Sequence, residues 1–141
     1  MADTLIEDFS SVGDWASFAG TLLASGGQGA GSAAGDNFAY RTSGSWGPDV
    51  FLAITIATVP ADGAGVLLAA RLVVPTFNAY TISFVKASGV DTVYLRRLDA
   101  GVPNPLLSWS QEIAAGNRIG IRCVGTTISA YIDTGGGWTL L

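Results

Sequence analysis

The side chains that could do chemistry are few and scattered. The 141-residue chain has no histidine, and its only cysteine is Cys123. Without an imidazole there is no Ser–His–Asp relay and no His-based metal site. Glycoside cleavage needs an acid and a second carboxylate a few ångströms apart. The only glutamates, Glu7 and Glu112, lie in different segments. Asp36, Asp49, Asp62, Asp91, Asp99 and Asp133 fall mostly at strand ends or turns, where aspartate is ordinary turn chemistry. No Glu-x-Asp or Asp-x-Asp pair occurs, so the chain is not expected to be an enzyme. No EF-hand spacing is present either, so structural calcium finds no support and no cofactor is expected. Gly29-Ala-Gly-Ser-Ala-Ala34 matches a dinucleotide fingerprint formally, but no strand–turn–helix context surrounds it.

Aromatic side chains are the remaining handle. Trp15, Trp46, Trp109 and Trp138 could each lay an indole against an apolar ligand face, although burial is the commoner use of tryptophan. Trp46 stands in the Gly- and Ser-rich loop Ser43-Gly-Ser-Trp-Gly-Pro48, the best place for an exposed indole. Together with the polar groups of Asp49, Arg71 and Tyr80 on adjacent segments, it forms the expected ligand-contact set.

Bulk composition removes several partner classes. The net charge is −4, so a phosphate backbone is an improbable ligand. Apolar residues make up 49% and charged residues 13%, which argues against disorder. No apolar window reaches the roughly 18 residues of a membrane helix. The runs Val50–Val59 and Val66–Val74 are broken by Pro60 and Arg71. The first residues, MADTLIEDFSS, have neither a basic n-region nor an apolar h-region, so no signal peptide is expected.

The elements that would position these side chains are strands. Runs of β-type residues occupy Thr4–Phe9, Asn37–Thr42, Asp49–Thr58, Ala64–Val74, Ala79–Lys86, Thr92–Leu98, Leu106–Ser110, Arg118–Val124 and Thr127–Asp133. Turn compositions such as Pro60-Ala-Asp-Gly, Asp99-Ala-Gly and Ala115-Gly-Asn separate them. No stretch carries a capped 3.6-residue period. The pattern predicts an all-β, antiparallel two-sheet sandwich with minimal helix, a single domain over residues 1–141.

Alternation assigns the faces. Ile119, Ile121 and Cys123 point one way, and Arg118, Gly120 and Arg122 the other. Across a Gly125-Thr126 turn of the expected type II′, Ile128, Ala130 and Ile132 share the inner face. Phe51-Leu-Ala-Ile-Thr-Ile and Gly65-Val-Leu-Leu-Ala-Ala are apolar on both faces and are expected mid-sheet. Ser25–Gly35 is expected to be a flexible surface loop.

Laid out in this way, the chain resembles the concanavalin A-like lectin/glucanase domains, the LamG-type jelly roll. The likeness rests on Glu7-Asp-Phe9 with Trp15, on Leu67-Leu-Ala-Ala-Arg71 with Tyr80-Thr-Ile, and on Tyr94-Leu-Arg-Arg97. Its most specific block is Ala115-Gly-Asn-Arg-Ile-Gly-Ile-Arg-Cys-Val-Gly125, running into Thr126-Thr-Ile-Ser-Ala-Tyr-Ile-Asp133. Such domains without signal peptide or cysteine pairs resemble modules of phage tail, fibre and capsid-surface proteins. The resemblance therefore implies a non-enzymatic structural or adhesion module of a virus particle, assembled in the host cytoplasm. The alternative it implies is a soluble carbohydrate-binding module separated from its partner domains.

Family members run on past the position of Trp138 through further strands that return beside the first. Here Thr139-Leu-Leu141 follows Trp138 directly, so the final strand is expected to be missing: either the sequence is a fragment, or other material completes the sheet. An apolar edge of that kind exposes unpaired backbone groups, and another chain is expected to cover it. The expected partners are further copies of the chain or other virion proteins, with the Thr4–Phe9 strand and the C-terminal tail near the contact. A glycan is a further candidate ligand.

Overall fold

The computed structural model of the protein describes residues 15–19, 22–25, 28–31, 38–41 and 47–141. Every regular element among them is a strand. No helix there is long and apolar enough to cross a membrane. The chain divides into two compact units, Asp3–Trp46 and Gly47–Leu141.

In the first unit, β1 (Trp15–Ala19) pairs antiparallel with β4 (Phe38–Arg41), and β2 (Leu22–Ser25) with β3 (Gln28–Gly31). The expected strand Asn37–Thr42 is β4. The expected flexible loop is corrected in part, because Gln28–Gly31 is a strand whose register runs from Ser25↔Gln28 to Leu22↔Gly31. Ladder bonds belong to the backbone, so a glycine-rich segment can pair. The expected strand Thr4–Phe9 lies outside the described residues.

The second unit is an antiparallel two-sheet sandwich. One sheet has the order β12 (Thr139–Leu140), β11 (Thr127–Asp133), β10 (Arg118–Val124), β5 (Val50–Thr55). The other is the meander β6 (Gly65–Val73), β7 (Asn78–Val85), β8 (Thr92–Asp99), β9 (Val102–Ser110). Inward side chains of both sheets form one core: Ile82, Phe84, Val93 and Leu95 meet Ile119, Ile121, Cys123, Ala130 and Ile132. The face assignment from alternation holds, with Ile119↔Ile132, Ile121↔Ala130 and Cys123↔Ile128 in register and Ile128 half-buried at the margin. Burial of its thiol raises the Cys123 pKa, and nearby Asp49 adds to the rise while Arg71 opposes it.

Two turns follow from glycine. Gly125 has φ of 53° while Thr126 is not in the left-handed region, the signature of type II′. Between β8 and β9, Ala100 and Gly101 both have positive φ, at 51° and 80°, as a type I′ turn requires.

β5 and β6 are edge strands among the described residues, not the mid-sheet strands expected from their two-sided apolarity. For β5 the physical reason is that its second apolar face, carrying Phe51, packs against an aromatic cluster on the outside of the sandwich. β9 starts four residues earlier than the expected Leu106, because among the described residues Pro103 and Pro105 sit on an outer edge where a missing N–H costs nothing.

Candidate functional site

Of the expected contact set, Asp49 and Arg71 are brought together at the start of β5. Trp46 lies outside the described residues. A bulge between Ala70 and Val73 places Arg71 at φ 53° and re-aims its side chain. Its Nε donates to the Pro48 carbonyl at 2.7 Å, and its Nη2 lies 3.6 Å from Asp49 Oδ1. The same Asp49 oxygen accepts the Gly125 N–H at 2.8 Å. The pair therefore links the β6 bulge, the entry to β5 and the β10–β11 turn. Tyr80 stands opposite Ala70 and packs against the margin of the core.

Two more aspartates of the sandwich, Asp91 and Asp99, are similarly engaged. Asp91 takes N–H groups from Ala87 and Ile113 and the Lys86 ammonium. Asp99 takes Arg97 and Asn104. Among the described residues no group of three or more Asp, Glu or Cys could hold a metal ion.

A second constellation, which sequence reasoning missed, occupies the outer face of the β5–β10–β11–β12 sheet. Outward positions of neighbouring strands bring Phe51, Gly120 and Tyr131 side by side, since Gly120 pairs with Tyr131 and Arg122 with Phe51. The Phe51 ring meets Tyr131 edge-to-face at 5.8 Å between centroids and Trp138 at 5.2 Å. Gly120 is what lets the rings settle on the sheet: a Cβ there would stand 2.9 Å from Phe51 Cζ and 3.2 Å from Trp138 Cζ3.

Asp133 organises the rim of this face. One oxygen accepts the Gly135 and Gly137 N–H groups at 2.8 and 3.0 Å, shaping the glycine run before Trp138. The other holds the Arg118 guanidinium through Nε and Nη2. Arg118, then the Gly135 N–H, keep the Asp133 carboxyl below the usual carboxylate range against the opposing effect of burial. Arg118 in turn lies over the Trp138 ring, 4.8 Å from its centroid. Phe51 and Trp138 remain 40% and 36% exposed, which leaves ring surface open to solvent on a face whose geometry is already fixed. Arg122 is exposed and has no carboxylate partner among the described residues.

The sequence signal for this site was a glycine at an outward strand position between aromatic residues on both neighbouring strands. It becomes visible only once the register is known. No family description, curated protein or solved structure matches the chain.

Proposed function

We propose that the chain is a non-enzymatic structural or adhesion module of a virus particle, holding its partners through the outer face of the β5–β10–β11–β12 sheet and through strand edges. The observation that carries this reading is how the polar chemistry is spent. Asp49, Asp91, Asp99 and Asp133 are tied to backbone N–H groups or to cations, while ordered aromatic surface is left open outside. Homo-oligomerisation is part of the reading. Among the described residues β9 is a nine-residue edge strand; it carries no charged residue, and Leu106 and Leu107 are exposed on it. Charged edge residues are a usual defence against strand addition. Pro103 and Pro105 block only its first half, and among the described residues nothing pairs with the outer edge of Leu106–Ser110, where a second copy can add a strand.

An antibody raised against the sandwich should decorate virus particles from the source culture in immunogold electron microscopy. Label confined to a particle-free soluble fraction would overturn the reading. Sedimentation of a stable monomer of 14.4 kDa would remove the oligomer from it. A soluble carbohydrate-binding module is the second reading, favoured by the Phe51–Trp138 ring surface, because sugar rings present C–H faces to aromatic side chains.

A further inference from the structure

Trp138–Leu141 is seated by specific contacts but joined to the sandwich by a hinge of glycines. Trp138 rests over Gly120 and against Phe51, and Leu141 donates to the Ala130 carbonyl and packs on the core. Between them Thr139 and Leu140 make only two register pairs with β11, and both are exposed. Thr134-Gly-Gly-Gly137 connects the segment to β11. Among the described residues a Cβ at Gly135, Gly136 or Gly137 would meet nothing within 4 Å, so packing does not call for glycine there. The backbone does: φ is 109° at Gly135 and 101° at Gly137, which turns the chain back onto its own β11.

None of the seat's contacts depends on which copy of the chain supplies the segment. We infer that Trp138–Leu141 is exchanged between two copies: Trp138 of each takes the Phe51–Gly120 seat of the other, and Thr139–Leu140 pairs with the other copy's β11. Contacts broken on opening are remade across the pair, so the balance falls on the hinge and on concentration. Asp133 favours the closed chain, because its bonds to the Gly135 and Gly137 N–H groups form only when the run folds back. Opening favours the exchanged pair by returning to the glycines the freedom that ordering removes. Fully extended, the four residues reach about 13 Å, more than two strand spacings of about 4.8 Å. That is enough to cross to a sandwich lying against the same sheet edge. The exchange rests on the homo-oligomer proposed above and names the segment that links its copies.

The test is cross-linking. Chains carrying only Tyr131→Cys are mixed with chains carrying only Leu140→Cys, unfolded, refolded together and oxidised. The two positions are register partners, close enough for a disulfide, and Cys123 is buried. A closed chain brings no second cysteine to its own, whereas an exchanged pair joins the two kinds in a species of twice 14.4 kDa. The mixed species should form and rise with concentration, and neither kind alone should give it. Gly135→Ala/Gly137→Ala in both chains should lower the concentration of half-completion at least tenfold. Alanine at positive φ is disfavoured roughly tenfold per position, while an extended hinge accepts it. The inference is overturned if no mixed species forms up to about 1 mM, the effective concentration of a closely linked segment, although one chain carrying both cysteines closes internally. A folded hinge variant without more cross-link also overturns it. The wild-type hinge is read in the same experiment, so a hinge variant that fails to fold does not remove the test. Oligomers in sedimentation without the mixed species would sink the exchange and leave the β9 contact standing; monomers at every concentration would sink both.

Discussion

Asp91 offers the sharpest test of how the sandwich is held together. Its side chain is fully buried between the β7–β8 turn and the connection from β9 to β10. Oδ1 accepts the Ala87 N–H and the Lys86 ammonium, each at 3.0 Å, and Oδ2 accepts the Ile113 N–H at 2.9 Å. Ile113 is itself a core residue, so one carboxylate pins that connection into the interior. Asp91→Ala leaves the Ile113 N–H unpaired in a buried site, and Lys86 keeps only Glu112, 3.0 Å away. Each hydrogen bond to a charged group contributes about 1.5–3 kcal/mol, and losing one partner of a buried ionic group costs roughly 3–5 kcal/mol in all. That is a large share of a typical stability of about 5–15 kcal/mol. Asp91→Asn keeps one acceptor and should lose about half as much. Burial alone would raise the Asp91 pKa, but the Ala87 and Ile113 N–H groups and Lys86 outweigh it and the net direction is downward. A lowered native pKa means the stabilisation is complete above the unfolded carboxylate value of about 3.9 and fades as pH falls through the native value. Urea unfolding followed by tryptophan fluorescence should show the gap between wild type and Asp91→Ala (or Asp91→Asn if the alanine chain does not fold) wide at neutral pH and closing below about pH 4. A gap under about 1 kcal/mol at neutral pH, or one that does not narrow in acid, would refute the reasoning.

Three further substitutions probe the core, a buried hydroxyl and a turn. Ile119→Ala, at a fully buried position facing Ile132, should cost about 2–5 kcal/mol in urea unfolding; a loss below about 0.5 kcal/mol would place the residue outside the core. Thr81 is fully buried on β7 with a hydroxyl that has no partner among the described residues, so Thr81→Val should stabilise by about 1 kcal/mol, and a lower melting temperature would show a hidden partner. Ala100 holds the left-handed conformation at φ 51°, so Ala100→Asn, which makes the favoured Asn-Gly type I′ pair with Gly101, should add about 0.5–1 kcal/mol; no rise in melting temperature would count against the strain.

Much of the sandwich was legible because period-2 alternation survives wherever one face meets the core and the other meets water. Arg118–Val124 and Thr127–Asp133 read correctly for that reason, and so did the turn at Gly125. β5 misled because its second apolar face serves an outer cluster and not a covering sheet, a distinction that composition does not carry. Ser25–Gly35 misled in the opposite direction, since glycine hides the strand pairing that Gln28–Gly31 makes through its backbone. Arg71 was read as a contact residue from its type and position. A positive φ at a non-glycine bulge, which turns its side chain onto Pro48, cannot be read from the letters. Phe51, Tyr131 and Trp138 are far apart in sequence, and only the β10–β5 and β10–β11 registers bring them to one place.

Those registers also explain how so short a final strand holds its position. β12 pairs through only Tyr131↔Leu140 and Ile132↔Thr139, too little for an isolated strand to persist. It is fixed instead at both ends. Leu141 donates its N–H to Ala130 and packs against the core, while Trp138 is held by Phe51 and by Arg118. Asp133 connects the two ends, since the carboxylate that shapes the glycine run also positions Arg118. The tail and the aromatic face are thus one structure. A change that loosens Trp138 should release the tail, and a tail held in place keeps the rings in a fixed geometry. Preorganisation of this kind lets a shallow face bind without first ordering itself, because the cost of immobilising its side chains is already met in folding.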